Sequence, residues 1–233
     1  MDSRSTRTSD VIGRSRSILD GEKNLIADSL LTAPEQLTVA HDLIAVIVNP
    51  ESTDSLFSMN EIRDLLKGRL KKNLIPVFDG IRATSTVRYM LDSVLKGENF
   101  GENVVAAQSS VGVIDYVSKT LNAVGFVGFS WIGNKDDTAQ LSYLKKVKTA
   151  YVESTDSTNA YVQPSQYFIY TKTYPMVRDL VYILKEKHTG LGHGFAFFLT
   201  TMRGQLIFRR AYLMPVLFPN YLRDVELKDT INK

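Results

Sequence analysis

The chain has 233 residues, 44% of them hydrophobic and 23% charged, enough for one large domain or two small ones with real cores and too apolar for a disordered chain. Zero cysteines exclude disulfides, thiolate catalysis, cysteine-ligated zinc and iron–sulfur clusters. The net charge is only +3, and +2 of it lies in residues 1–16, where Arg4, Arg7, Arg14 and Arg16 face Asp2 and Asp10. The remainder has no basic stripe with interleaved aromatics, so no nucleic-acid partner is expected. No apolar run approaches the 18 or more residues of a membrane span, and the start, MDSRSTRTSD, lacks the apolar core of an export signal.

In chain order, residues 20–31 predict a short helix and Leu43 to Val48 a buried strand ended by Asn49-Pro50. Ser58 with Glu61 three positions on forms a capping box, opening a helix with Ile62, Leu65, Leu66 and Leu70 on one face. Ile75 to Phe78 predicts a short strand, whose Pro76 calls for an early or edge position. A helix over Thr86 to Leu95, a strand at Val104 to Ala107, a helix over Val111 to Leu121 and a strand at Val124 to Ile132 follow. Further on, Thr149 to Val152 and Tyr167 to Thr171 read as strands. Pro175 fits the first turn of a helix bearing Val177, Leu180, Val181 and Leu184. A last helix covers Gly194 to Tyr212, with Gly204 marking an interruption or a close packing point. This alternation predicts an α/β protein with a mainly parallel sheet.

The chemically informative stretch is residues 75–95, IPVFDGIRATSTVRYMLDSVL, a strand, a loop of small and hydroxyl residues, and a helix. Thr84, Ser85 and Thr86 stand where N-cap residues stand, beside unpaired N–H groups and the positive end of the helix dipole. Arg82 and Arg88 are close enough in sequence to neutralise an oxyanion. Asp79 would accept from a protonated phosphate and repel fully ionised sulfate. The same residues also fit an ordinary helix cap preceded by a turn, the commoner arrangement. His188 and His193 flank Thr-Gly-Leu-Gly, but a metal pair needs further ligands, and a loop before a helix is the simpler reading. No nucleophile–base pair, Walker loop, dinucleotide fingerprint or zincin pattern occurs, so neither enzyme nor cofactor is expected.

Eight segments, taken in order, resemble the PstS-like phosphate-binding proteins of ABC importers, in their Bacteroidetes form: SRSILDGEKN, AHDLIAVIVNPES, SMNEIRDLLKGRL, VFDGIRATSTVRYMLDS, VIDYVSKTLNAVGFVGFSWI, LSYLKKVK, TYPMVRDLVYIL and TGLGHGFAFFLTTMRGQLI. The resemblance implies a two-lobed type II periplasmic-binding fold, with mixed, mainly parallel sheets and flanking helices. Residues 1–72 and 134–233 would form the first lobe and 73–133 the second. It further implies a monomer that captures inorganic phosphate in the interlobe cleft, without a cofactor, and hands it to a membrane permease in the periplasm or cell envelope. Thr84-Ser85-Thr86 matches the family's Ser-Gly-Thr phosphate loop, Asp79-Gly80 the Asp-Gly before it, and Ser15-Arg16 a Ser-Arg pair facing the same cleft.

The chain departs from that pattern in several places. Ile81, Arg82 and Ala83 intervene between Asp-Gly and the loop, Val77 stands where relatives carry an Arg, and Ser85 replaces the loop glycine. Arg82 is the substitute expected for the missing Arg. The match starts near Val11, so the family's signal and first β–loop–α unit are expected to be missing, through truncation, choice of fragment or divergence. An interaction or sensory protein that kept the fold and lost transport is the alternative reading.

Overall fold

The structure is a computed structural model that describes residues 11–14, 23–24, 34–80, 84–186 and 189–217. A short β1 (Val11–Arg14) precedes the longest strand, β2 (Glu35–Val48). The apolar run Leu43 to Val48 forms the second half of β2 and is wholly buried, because the sheet is covered on both faces there. The first half of β2 pairs with β10 (Val177–Leu184), from Glu35 opposite Leu184 to Leu43 opposite Val177. At Ile44 the partner changes, and Ile44–Val48 pair with β6 (Ala123–Gly128). The sheet order is β1-β10-β2-β6-β4-β5, with β4 at Ile75–Phe78 and β5 at Val105–Ala106. Strands β7 (Lys148–Thr149) and β11 (Met214–Pro215) add to β2, while β3 (Leu56–Phe57), β8 (Tyr151–Glu153) and β9 (Tyr161–Val162) form a small second sheet.

The helices are α1 (Met59–Leu66), α2 (Ser85–Tyr89, continued by a π-helical turn over Met90–Val94), α3 (Ser110–Lys119), α4 (Thr138–Lys146), α5 (Gln166–Tyr170), α6 (Leu191–Thr200) and α7 (Met202–Arg210). Of the helix expected at 20–31, only Lys23 and Asn24 are described, and they are helical. Strand β4 lies between β5 and β6, so it is not an edge strand. Pro76 is its second residue, one position before the β5 ladder begins at Val77, and there its missing N–H leaves no gap in that ladder.

The structure corrects three expectations. Residues 177–184 form a strand, not a helix, for they pair with β2 along the whole segment and with β1 over Val181–Leu184. A short apolar run such as Val181–Leu184 fits either state by periodicity, and the long-range partners decide it. Tyr167–Thr171, expected as a strand, lies mostly in α5, where the Ser165 hydroxyl accepts from the Phe168 N–H and caps the helix. The last helix is two helices. Extended Thr201 ends α6 and caps α7, and a Cβ on Gly204 would collide with the Phe198 carbonyl where the two pack. The parallel share of the sheets is also smaller than expected. Among the described strands, β4 runs parallel to β5 and β6, and β3 to β8, while the other six pairings are antiparallel.

Two buried clusters result. The larger runs from Leu43 through Phe78, Val113 and Phe126 to Met176, with Met214, and takes side chains from each of the segments 1–72, 73–133 and 134–233. The smaller holds Val39, Tyr182, Leu184 and Leu199. Within the larger cluster two stretches of chain cross side by side. The Ile44 N–H donates to the Met176 carbonyl at 2.9 Å, next to the Leu43–Val177 rung. Buried Tyr174 fastens this crossing by donating to the Ile44 carbonyl at 2.8 Å, and burial holds its phenol above its ordinary pKa.

Candidate functional site

At the C-terminal end of β4, Phe78 is fully buried and stacks on Phe126 with ring centroids 4.8 Å apart. The Ala107 N–H donates to the Phe78 carbonyl at 2.7 Å, so the strand end is fixed from two sides. The chain then turns through Asp79 and Gly80, whose φ of +117° favours glycine. One Asp79 oxygen, Oδ2, accepts from the Ser110 hydroxyl at 2.9 Å in the first turn of α3. The other, Oδ1, is buried and has no hydrogen-bond partner among the described residues.

Thr84 caps α2 with extended backbone, and its hydroxyl oxygen accepts from the Val87 N–H at 3.4 Å. Ser85 and Thr86 form the first turn, Thr86 being only 3% exposed. Their hydroxyl oxygens accept from a single guanidinium nitrogen, Arg178 Nη1, at 2.8 and 3.2 Å. The rest of that guanidinium is held by Asp42, with Nη2 to Oδ2 at 2.6 Å and Nε to Oδ2 at 3.1 Å. Asp42 and Arg178 are opposite each other in the β2–β10 ladder, each side chain about a tenth exposed. Gly128 at the end of β6 lets the backbone approach this pair, since a Cβ there would stand 2.9 Å from Arg178 Nη2. Tyr89 donates to the Pro175 carbonyl at 3.2 Å; burial pushes its pKa up to about 12 against the opposing pull of Arg178, so it stays a neutral donor.

This arrangement sets the direction of the hydroxyl protons. With Arg178 donating to their oxygens, Ser85 and Thr86 have their own O–H groups to give to another acceptor, next to free N–H groups of the helix start. Asp79 supplies an acceptor in the loop before the same helix. Asp42 Oδ1, like Asp79 Oδ1, is buried without a hydrogen-bond partner among the described residues. Several donors, a buried cation and these carboxylate oxygens suit a tetrahedral oxyanion that carries a proton.

Of the residues expected from the sequence, Asp79, Thr84, Ser85 and Thr86 lie together around the start of α2. Arg88 is exposed and pairs with none of them among the described residues. Arg82, Ser15 and Arg16 lie outside the described residues. Asp42, Ser110 and Arg178 were missed. A charged residue set against the apolar run at Leu43 was the available signal for Asp42, and Arg178 was hidden by the reading of its segment as a helix. His193 is in α6, bonded through Nδ1 to Glu186 at 3.1 Å, and His188 lies outside the described residues. Among the described residues, no cluster of three or more His, Asp or Glu side chains could hold a metal ion.

The family model described as "PBP superfamily domain" matches residues 6–203. No curated protein sequence matches the chain. Solved structures with a similar fold include a protein of Clostridium perfringens assigned as a phosphate ABC transporter substrate-binding protein, with bound phosphate. That likeness has a TM-score of 0.68 at 20% identity and covers 89% of this chain and 79% of that one. An ABC-type phosphate transport receptor of Vibrio cholerae gives 0.66 at 16%, covering 88% and 79%. PstS of Borrelia burgdorferi gives 0.58 at 17%, with the same coverage. The fold is the type II periplasmic-binding fold, as the sequence segments implied.

Proposed function

The chain belongs to the PBP superfamily, and from that premise we propose that it binds inorganic phosphate as the substrate-binding component of an ABC importer. The observation that carries this reading is the start of α2, where Arg178 orients the Ser85 and Thr86 hydroxyls and Asp79 Oδ1 is buried without a donor among the described residues. Three of the similar folds are proteins whose names specify phosphate ABC transport, a phosphate receptor or PstS. In the proposed site Thr84, Ser85 and Thr86 donate to phosphate, Arg178 supplies positive charge, and Asp79 accepts the phosphate proton. Ser15 and Arg16 are the further contacts that the resemblance assigns, and Arg82 is the proposed substitute for the family's missing Arg. The reaction is capture and release, without covalent chemistry, and the partner is a membrane permease reached by a monomer outside the cytoplasmic membrane. No helix among the described residues is long and apolar enough to cross a membrane.

Thermal unfolding with phosphate, and separately with sulfate, tests this function. At a ligand concentration about a hundredfold above Kd, binding adds about 2.7 kcal/mol. For a chain of this size the melting temperature should rise by about 5–10 °C with phosphate and stay unchanged with sulfate. No rise with phosphate in a cooperatively folded sample, or equal rises with both anions, overturns the reading.

A further inference from the structure

Helices α6 and α7 cover the smaller buried cluster. Gly192, Ala196 and Leu199, at i, i+4 and i+7, form the inner side of α6. Gly204, Gln205 and Phe208 form that of α7. Around the rest of α6, Leu191 is 88% exposed, Phe195 48% and Phe197 73%. The polar side chains of this helix are His193, bonded to Glu186, and Thr200, which donates to the Phe197 carbonyl at 2.7 Å. A helix apolar all round is normally covered all round, yet α6 is covered on its inner side alone.

The outer side of α7 adds charge of one sign. Arg203, Ile207 and Arg210, again at i, i+4 and i+7, are exposed along one stripe. No Asp or Glu occurs from residue 187 to 217, and no described carboxylate pairs with Arg203 or Arg210. Glu186 and Glu35, the carboxylates that reach α6, do so at His193. Seven of the fourteen large apolar side chains exposed among the described residues fall between Leu191 and Leu217, so this patch is not the ordinary scatter of a protein surface.

Apolar side chains beside arginines without acids fit a partner that is apolar within and negative at its surface. A second copy fits worse, because a two-fold contact through this patch would set arginines against arginines. We propose that α6 and α7 form a docking face for an anionic lipid bilayer. Leu191, Phe195, Phe197 and Ile207 enter the boundary between headgroups and acyl chains, while Arg203 and Arg210 meet lipid phosphates. The contact is peripheral, since no helix among the described residues is long and apolar enough to cross a membrane. It goes beyond the phosphate reading and does not depend on it.

Co-sedimentation of the full chain with lipid vesicles tests the proposal. The chain should sediment with phosphatidylcholine vesicles that contain about a quarter phosphatidylglycerol, and not with phosphatidylcholine alone. Arg203→Gln with Arg210→Gln should lower the partition coefficient about tenfold or more, and Phe197→Ser about fivefold or more. Lys71→Gln with Lys145→Gln removes the same charge at exposed positions elsewhere and should leave it within about twofold. The proposal is overturned by absence of sedimentation with the anionic vesicles, or by equal sedimentation with both kinds. It is also overturned if the patch variants bind like wild type, or if the lysine pair costs as much as the arginine pair. A concentration-dependent dimer in light scattering that Phe197→Ser abolishes would overturn it too, assigning the face to a second copy.

Discussion

Arg178 holds one carboxylate and two hydroxyls at once, so its removal has two separable consequences. Arg178→Met leaves the Asp42 carboxylate buried without its partner, which should cost about 3–5 kcal/mol in urea unfolding. The double variant Asp42→Asn with Arg178→Met should recover much of that stability but none of the phosphate affinity, because the hydroxyls of Ser85 and Thr86 are no longer oriented. Phosphate affinity equal to wild type in the double variant would remove Arg178 from the site. Asp79→Asn tests the acceptor. An amide no longer repels sulfate, so the phosphate-to-sulfate preference should fall, and an unchanged ratio of dissociation constants would dismiss Asp79. At this scale the sequence pointed to the local half of the candidate site, Asp79 and Thr84 to Thr86, since loop, cap and helix follow one another along the chain. Arg178 and Asp42 are 136 positions apart, and only the strand register brings them together.

Elements whose signals are local were legible, and those decided by distant partners were not. The capping box of α1 is present as read, with the Ser58 N–H donating to Glu61 Oε2 at 3.0 Å and the Glu61 N–H to Ser58 Oγ at 3.2 Å. Ser58→Ala should therefore destabilise the chain by about 1 kcal/mol. The Glu61 carboxyl is held below its ordinary value of 4.5, first by the Ser58 backbone bond, with its hydroxyl and Lys72 adding to it against partial burial. A carboxyl with a depressed folded pKa stabilises above its unfolded pKa, and that contribution is lost as pH falls through the folded value. The gap in urea midpoint between wild type and Glu61→Gln should thus be present at neutral pH and close in acid; a gap constant across that range would contradict the assignment. By contrast, β10 reads locally as a helix, and its ladders with β1 and β2 make it a strand.

At the scale of the whole molecule, the crossing of Ile44 and Met176 lies within the larger buried cluster, and Arg178 reaches from β10 to α2 beside that crossing. If phosphate binds at the start of α2 with closure of the two lobes proposed from the resemblance, small-angle scattering should record a smaller radius of gyration with phosphate than without it. An identical profile would overturn lobe closure on binding. The 14-residue β2 contributes to both buried clusters, and its end is held on two edges, since Ile47 and Val48 pair with β6 and with β7. Neither cluster can open fully without releasing this strand. Amide protons of Ile44 to Val48 should therefore exchange with solvent deuterons only through global unfolding, at a rate set by the total stability of the chain. The peptide groups of β5, two residues long at the sheet edge, should exchange long before them.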